Sequence, residues 1–198
     1  HALAHKSGAK LAWIPRRAGE RGALEAGAFA HLLPGGRPVA DSAARVDMAA
    51  AWGVSTLPSH PGRSVSEMID AVHNGDLDAL VVGGVDIADM PNGLRTTDAF
   101  KKAFIVSLEI AHSSVTEVAD VVLPVAAVTE KYGTFVNWEG RPRTFAAAVA
   151  DSLNRSDVRI LSVLADAMGQ SIMLGTVTAA AREFAQLGKW EGTRLSHV

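Results

Sequence analysis

The sequence predicts an α/β fold: an open, mostly parallel sheet with helices on both faces. Three observations lead there. Short apolar, β-branched runs at Leu77–Val82, Phe104–Ile110 and Asp120–Pro124 read as buried strands, the last stopped by its proline. Segments with helical periodicity and capping residues separate them, so helix and strand alternate along the chain. Parallel strands need crossover connections, normally helical and right-handed, and this alternation supplies them.

Lys10–Ile14 (KLAWI) reads as a first strand, ended by Pro15 and the pair Arg16-Arg17. Glu20–Leu32 has the composition of a helix despite Gly22 and Gly27, and Pro34-Gly35-Gly36 breaks it. Ser42–Trp52 is a second helix, with Ser42 as cap, Val46, Ala49 and Ala50 as its apolar side, and Gly53 as its end. A proline-containing loop runs over Ser55–Gly62. Ser64 and Glu67 form a capping box, and Val65, Met68, Ile69 and Val72 share one face of the helix they open, which Gly75 ends. Gly83-Gly84-Val85-Asp86 turns the chain after the Leu77 strand, and a polar helix over Asn92–Lys102 precedes the Phe104 strand. A short helix follows that strand, with Ser114 and Glu117 as a second capping box. Asp157–Met168 is amphipathic, with Val158, Leu161, Leu164, Ala165 and Met168 as its stripe, Ser156 as N-cap and Gly169 as C-cap. Thr176–Leu187 is the last helix.

At 198 residues and 48% hydrophobic composition the chain can bury a real core. No run approaches the roughly 18 uninterrupted apolar residues of a membrane-spanning helix. Direct membrane insertion is therefore not expected. The chain begins at His1 with neither an initiator Met nor a charged-then-apolar leader, which suggests an internal piece of a longer polypeptide. There is no cysteine, so this segment has no thiolate for a conventional iron–sulfur cluster and forms no disulfide. Seven scattered His give no metal-ligand spacing. Residues 1–63 carry eight Lys/Arg against four Asp/Glu, and residues 64–198 carry eleven against seventeen, so the net charge of −2 divides into +4 and −6. That asymmetry suits protein contacts or an anion near the N-terminal part, while sparse aromatics and the lack of a basic stripe argue against nucleic acid.

The densest run of specific residues follows the Phe104 strand: Thr116-Glu117, Ala119–Pro124, then Glu130, Gly133, Thr134, Asn137 and Glu139-Gly140-Arg141. In this order they resemble the large-subunit family of molybdopterin-guanine-dinucleotide oxidoreductases, which has a T-E-x-A-D-like turn, an ADVVLP strand and E-x-x-G-T-x-x-N-x-E-G-R. Weaker likeness covers Arg21–Gly36, Gly75–Gly84 and Asp157–Gly169. Within the family, PRRAGERGALEAGAFAHLLPGGRP and GGVDIADMPNGL are most similar to the G-subunit branch of bacterial NADH-quinone oxidoreductase, respiratory complex I, of actinobacterial type.

That resemblance implies a Rossmann-like domain of the formate dehydrogenase/DMSO reductase-like fold over residues 1–175, with 176–198 a helix and tail leading towards a β-rich domain. It implies a scaffold segment, inactive alone, in an enzyme that passes electrons from NADH through FMN and Fe–S clusters to quinone, coupled to proton translocation. The clusters would lie elsewhere in the parent subunit, the partners would be other peripheral-arm subunits, and the location would be the cytoplasmic face of the plasma membrane. Two alternatives stand beside it. One is a cofactor-holding domain of a formate dehydrogenase or nitrate reductase-like enzyme; the other is a non-redox interaction module.

Ligands of open parallel sheets sit at the C-terminal ends of the strands. Gly83, Gly84 and Asp86 after one strand, and His112, Ser113 and Ser114 after the next, are accordingly the candidate remnants of a pterin site. Where cofactor-bearing relatives have a G-x-N-P-like turn, this chain has Val85-Asp86, whose carboxylate opposes a pyrophosphate. No catalytic residue or metal ligand is expected. Thr116, Glu117, Asp120, Glu130, Gly133, Thr134, Asn137, Glu139, Gly140 and Arg141 are read as structural, with Gly133 and Gly140 supplying backbone angles that other residues disfavour. Arg16, Arg17 and Arg21 are candidates for an anion or an acidic partner.

Overall fold

The computed structural model describes residues 2–15, 17–90, 92–149 and 152–193. In chain order the elements are α1 (Ala2–Ser7), α2 (Glu20–Glu25), β1 (Leu32–Leu33), β2 (Arg37–Pro38), α3 (Ser42–Trp52), α4 (Val65–Asn74), β3 (Ala79–Gly83), α5 (Gly93–Phe100), β4 (Phe104–Glu109), β5 (Val121–Pro124), β6 (Gly133–Val136), β7 (Pro142–Phe145), α6 (Asp157–Ala167) and α7 (Val177–Leu187). They divide between two compact units: residues 1–59, 133–145 and 187–198 in one, 60–132 and 146–186 in the other.

The second unit holds the parallel sheet, in the order β3-β4-β5. Its register aligns Ala79 with Phe104 and Gly83 with Leu108, then Val106 with Val121 and Glu109 with Pro124. The core lies on one face, where Val82 and Ile105 pack with Ile69 and Val72 of α4 and Ala99 and Phe100 of α5. Strand side chains alternate between faces, so Ala79, Val81, Phe104, Val106 and Val121 point the other way. There Val81 is 60% exposed and Phe104 51%. Leu108 lies on the same face and is 6% exposed, so that face is bare at Val81 and Phe104 and not along its whole length.

The Ser64–Glu67 capping box forms as expected: Ser64 Oγ accepts the Glu67 amide at 3.4 Å and Glu67 accepts the Ser64 amide at 2.6 Å. Its inward face is narrower than the apolar pattern, because Ile69, Ala71 and Val72 are buried while Val65 and Met68 are exposed. Asn92 caps α5, which is shorter than the Asn92–Lys102 expectation. The short helix expected after β4 is a turn over Ser114–Val118. Its cap sits one residue earlier than predicted: Ser113 Oγ accepts the Val115 and Thr116 amides, and Thr116 Oγ1 accepts the Ser113 amide at 2.8 Å. Ser113/Thr116 has the same spacing as Ser114/Glu117, and the pattern alone does not separate them. On α6 the buried residue is Ser162, whereas Leu161 and Met168 of the expected stripe are exposed. Ser156 stands at the N-cap position without a side-chain cap bond.

In the first unit the expected strand Lys10–Ile14 does not form, and Leu11, Trp13 and Ile14 are exposed. A strand is stable only with a ladder partner, and none pairs with this segment among the described residues. The helix expected over Glu20–Leu32 stops at Glu25, because Gly27 adopts φ +75° and lies against the backbone of Leu33 and Pro34. Leu32-Leu33 then pair antiparallel with Arg37-Pro38. Helix α3 has its predicted span, but its cap is Asp41 rather than Ser42: Asp41 Oδ1 accepts the Ala43 and Ala44 amides. Its buried residues are Ala44 and Met48, not Val46, Ala49 and Ala50. No helix among the described residues is long and apolar enough to cross a membrane.

Candidate functional site

Strand β3 delivers Gly83, Gly84 and Asp86 to its C-terminal end, and β4 delivers His112, Ser113 and Ser114 to the same end of the sheet. The two turns are neighbours, since the Gly84 amide donates to the Leu108 carbonyl at 3.3 Å. Both sequence candidates therefore come together where a ligand of such a sheet would sit.

Gly84, Asp86 and Ser113 have hydrogen-bonding groups engaged in the fold. Gly84 spends its amide on Leu108, and Asp86 accepts the Ala88 amide at 2.9 Å, capping the short turn Ile87–Asp89. Ser113 contributes its amide, carbonyl and hydroxyl to the turn shared with Thr116. Glu117 donates its amide to the Ser113 carbonyl, and Ser114 and His112 are exposed. Below this end of the sheet Ser107 Oγ and Glu109 Oε1 are buried and have no partner among the described residues. A pterin dinucleotide brings a pyrophosphate, which needs donors or cations. Here it would meet the Asp86 carboxylate and the Glu109 side chain, with the Gly84, Ala88 and Ser113 amides already in use. The residues present do not fit that group.

The remaining motif residues hydrogen-bond and pack within the fold. Asp120 closes the base of the sheet, its Oδ2 accepting the Ile105 amide at 2.7 Å while its own amide donates to the Ile105 carbonyl. Glu130 accepts from the Ala127 amide, the Ser152 hydroxyl and the Asn154 side-chain amide. These bonds, that of Ala127 first, hold its carboxyl below the usual glutamate range. Lys131 pairs with Asp157 in the same unit.

Gly133 to Arg141 shape the β6–β7 hairpin. Thr134 pairs with Thr144, and Gly133 faces Phe145, where a Cβ at 133 would stand 2.5 Å from the ring. Phe145 stacks on Phe135 with centroids 4.9 Å apart. At the tip Asn137 Oδ1 accepts the Arg141 amide, the Gly140 amide donates to the Asn137 carbonyl, and Gly140 takes φ +82°. This is a type I turn closed by a left-handed residue, which explains the glycine. Glu139 lies between Asn137 Nδ2 and the Arg141 guanidinium. Arg21 pairs with Glu25 and lies against Gly140, Arg17 is exposed, and Arg16 lies outside the described residues.

The sequence reading passed over Arg37. It is 4% exposed and donates to Asp47, Pro34, Leu187 and Gly188, with the Trp190 ring 5.9 Å away. Its placement between Pro-Gly-Gly and Pro is the signal available beforehand, and nothing local marks that arginine as buried.

The NADH-quinone oxidoreductase G subunit of Streptomyces coelicolor is 52% identical over 194 residues, covering 95% of this chain and 23% of that protein. The corresponding G subunit of Mycobacterium bovis is 53% identical over 196 residues, covering 96% of this chain and 24% of that protein. A nitrate reductase of Symbiobacterium thermophilum is 36% identical over 149 residues, covering 73% and 20%. The chain thus spans about a quarter or less of the length of the curated relatives it matches. Residues 4–167 match the model of the molybdopterin oxidoreductase family, and with most of its length inside that match the chain belongs to this family.

Proposed function

We infer that this chain is a scaffold segment of the iron–sulfur G subunit of a proton-translocating NADH:quinone oxidoreductase. The enzyme passes electrons from NADH through FMN and Fe–S clusters to quinone. The segment contributes a domain of the formate dehydrogenase/DMSO reductase-like fold and packs against other peripheral-arm subunits on the cytoplasmic face of the plasma membrane. It turns over nothing alone, and Gly83, Gly84, Asp86 and His112–Ser114 are remnants of a pterin site. The observation that carries this reading is the sheet end, where the Gly84, Ala88 and Ser113 amides are engaged within the fold and the Asp86 carboxylate stands in the turn. The absence of cysteine leaves cluster ligation to other parts of the polypeptide.

The test is to purify the longer polypeptide that contains this sequence and quantify iron, molybdenum and tungsten together. Iron without molybdenum or tungsten is expected. Stoichiometric molybdenum or tungsten would overturn the scaffold reading in favour of a cofactor-holding enzyme.

A further inference from the structure

The β6–β7 hairpin is a sheet of only two strands, and such a ribbon is marginal in water without a further layer against it. Cross-strand partners share a face, so Gly133, Phe135, Arg143 and Phe145 point one way and Thr134, Val136, Pro142 and Thr144 the other. Val136 lies against α2, 3.8 Å from where a Cβ at Gly22 would stand. The Phe135 face looks outward. Phe135 is 38% exposed even though it stacks on Phe145, and Arg143, directly across the ladder from it, is exposed as well. At the tip Trp138 is 52% exposed.

Charge separates this face from an ordinary solvated one. Arg143 stands on it with no carboxylate among its neighbours on the ladder, and its Nη1 donates to the Pro142 carbonyl at 3.2 Å. Glu139, the single acidic residue of the hairpin, is held at the tip by Asn137 and Arg141. Residues 133–145 contain no lysine, the usual solubilising cation. Exposed aromatic rings with arginine and without lysine are the composition that concentrates binding energy in protein interfaces. The compact unit that holds the hairpin carries eleven Lys/Arg against six Asp/Glu, so its field favours an acidic occupant. Phe135 and Phe145 each spend a ring face on the other, which leaves less of them for stacked bases and favours a protein.

We propose that the Phe135–Arg143 face of the β6–β7 hairpin, with Trp138 at its tip, docks an acidic protein segment of another subunit. A carboxylate of that segment pairs with the planar guanidinium of Arg143, and its apolar side chains cover Phe135. The docking rests on the reading of the chain as part of one subunit in an assembly.

The test uses the longer polypeptide that contains this sequence, in its intact assembly, with Arg143→Lys supplying an amine on that face. A water-soluble carbodiimide joins the amine to a neighbouring carboxylate as an amide, and the water lost is taken up by the carbodiimide as its urea. Mass spectrometry is expected to find position 143 joined to an Asp or Glu of another subunit. Hydroxyl-radical labelling of the unsubstituted assembly should run at least about tenfold slower at Phe135 and Trp138 than in the separated polypeptide, as befits residues at the centre of an interface. Adducts confined to this polypeptide or to a second copy of it would overturn the proposal, and so would labelling that does not change. Protection without an adduct would mean a partner that is not acidic, and protection that nuclease removes would mean a nucleic acid; either result overturns it as well. Metal content decides the scaffold reading separately, so an unprotected hairpin in an iron-only assembly would sink this inference alone.

Discussion

Replacing Arg37 with methionine removes a charge that the fold has surrounded with acceptors. Its Nε donates to Asp47 Oδ2 at 2.6 Å, Nη1 to the Pro34 and Gly188 carbonyls at 2.9 and 3.1 Å, and Nη2 to the Leu187 carbonyl at 2.8 Å. Asp47 is 49% exposed, so its carboxylate rehydrates and its share of the loss is small. The Pro34 and Leu187 carbonyls, on half-buried residues, account for most of it, since a buried acceptor left without a donor costs about 1–3 kcal/mol, whereas Gly188 is exposed and rehydrates. Methionine keeps much of the apolar stem and so limits the cavity left behind. Partial rehydration of the carbonyls brings the expected loss to about 3 kcal/mol, at the lower end for breaking a buried charged cluster. Arg37→Lys retains the charge without the planar fork and should fall between the two. The assay is urea unfolding followed by tryptophan fluorescence, with trypsin cleavage after Lys189 as a local readout. Trp190 donates its amide to the Gly35 carbonyl, and release of Leu187–Trp190 should speed that cleavage. A loss below about 0.5 kcal/mol, the range of ordinary surface substitutions, with unchanged cleavage would refute the reasoning.

Gly133→Ala should destabilise by about 1–3 kcal/mol, because the new methyl meets the Phe145 ring and disturbs its stack on Phe135; thermal unfolding measures the loss and the ring-current shifts of both phenylalanines locate it. Asp120→Ala leaves the amide of fully buried Ile105 without its 2.7 Å partner and should cost about 1–3 kcal/mol, whereas Asp120→Asn, which keeps an oxygen there, should cost less. An equal loss in the two variants would argue against that bond. Glu130 has its pKa lowered in the folded state, so its contribution is present above the unfolded value of about 4.3 and is lost as pH falls through the folded value. Acid unfolding of Glu130→Gln should accordingly show a shallower pH dependence than the parent, and identical curves would remove Glu130 from the account.

The strands Leu77–Val82, Phe104–Ile110 and Asp120–Pro124 were legible because a parallel strand reads as a continuous apolar run, and that composition is local. The Ser64–Glu67 box and the span Ser42–Trp52 were legible for the same reason, as capping and periodicity act within a few residues. The two turns of the candidate site also followed from strand order alone. Which of their groups are in use depends on partners the sequence does not display. Gly84 meets Leu108, Asp86 accepts the Ala88 amide as a cap, and Glu109 Oε1 is buried at the end of its strand, none of which a glycine pair in a sequence discloses. Lys10–Ile14 has a strand's composition and remains unpaired, since a strand exists only when another presents its edge. Arg37 looked like any surface arginine until residues 150 positions away brought it their carbonyls. Composition and local spacing marked most of the segments that become helix or strand, and the ordered motif residues carried the family resemblance. Tertiary structure decided which faces are covered and which polar groups are already in use, because those depend on contacts between residues far apart in the chain.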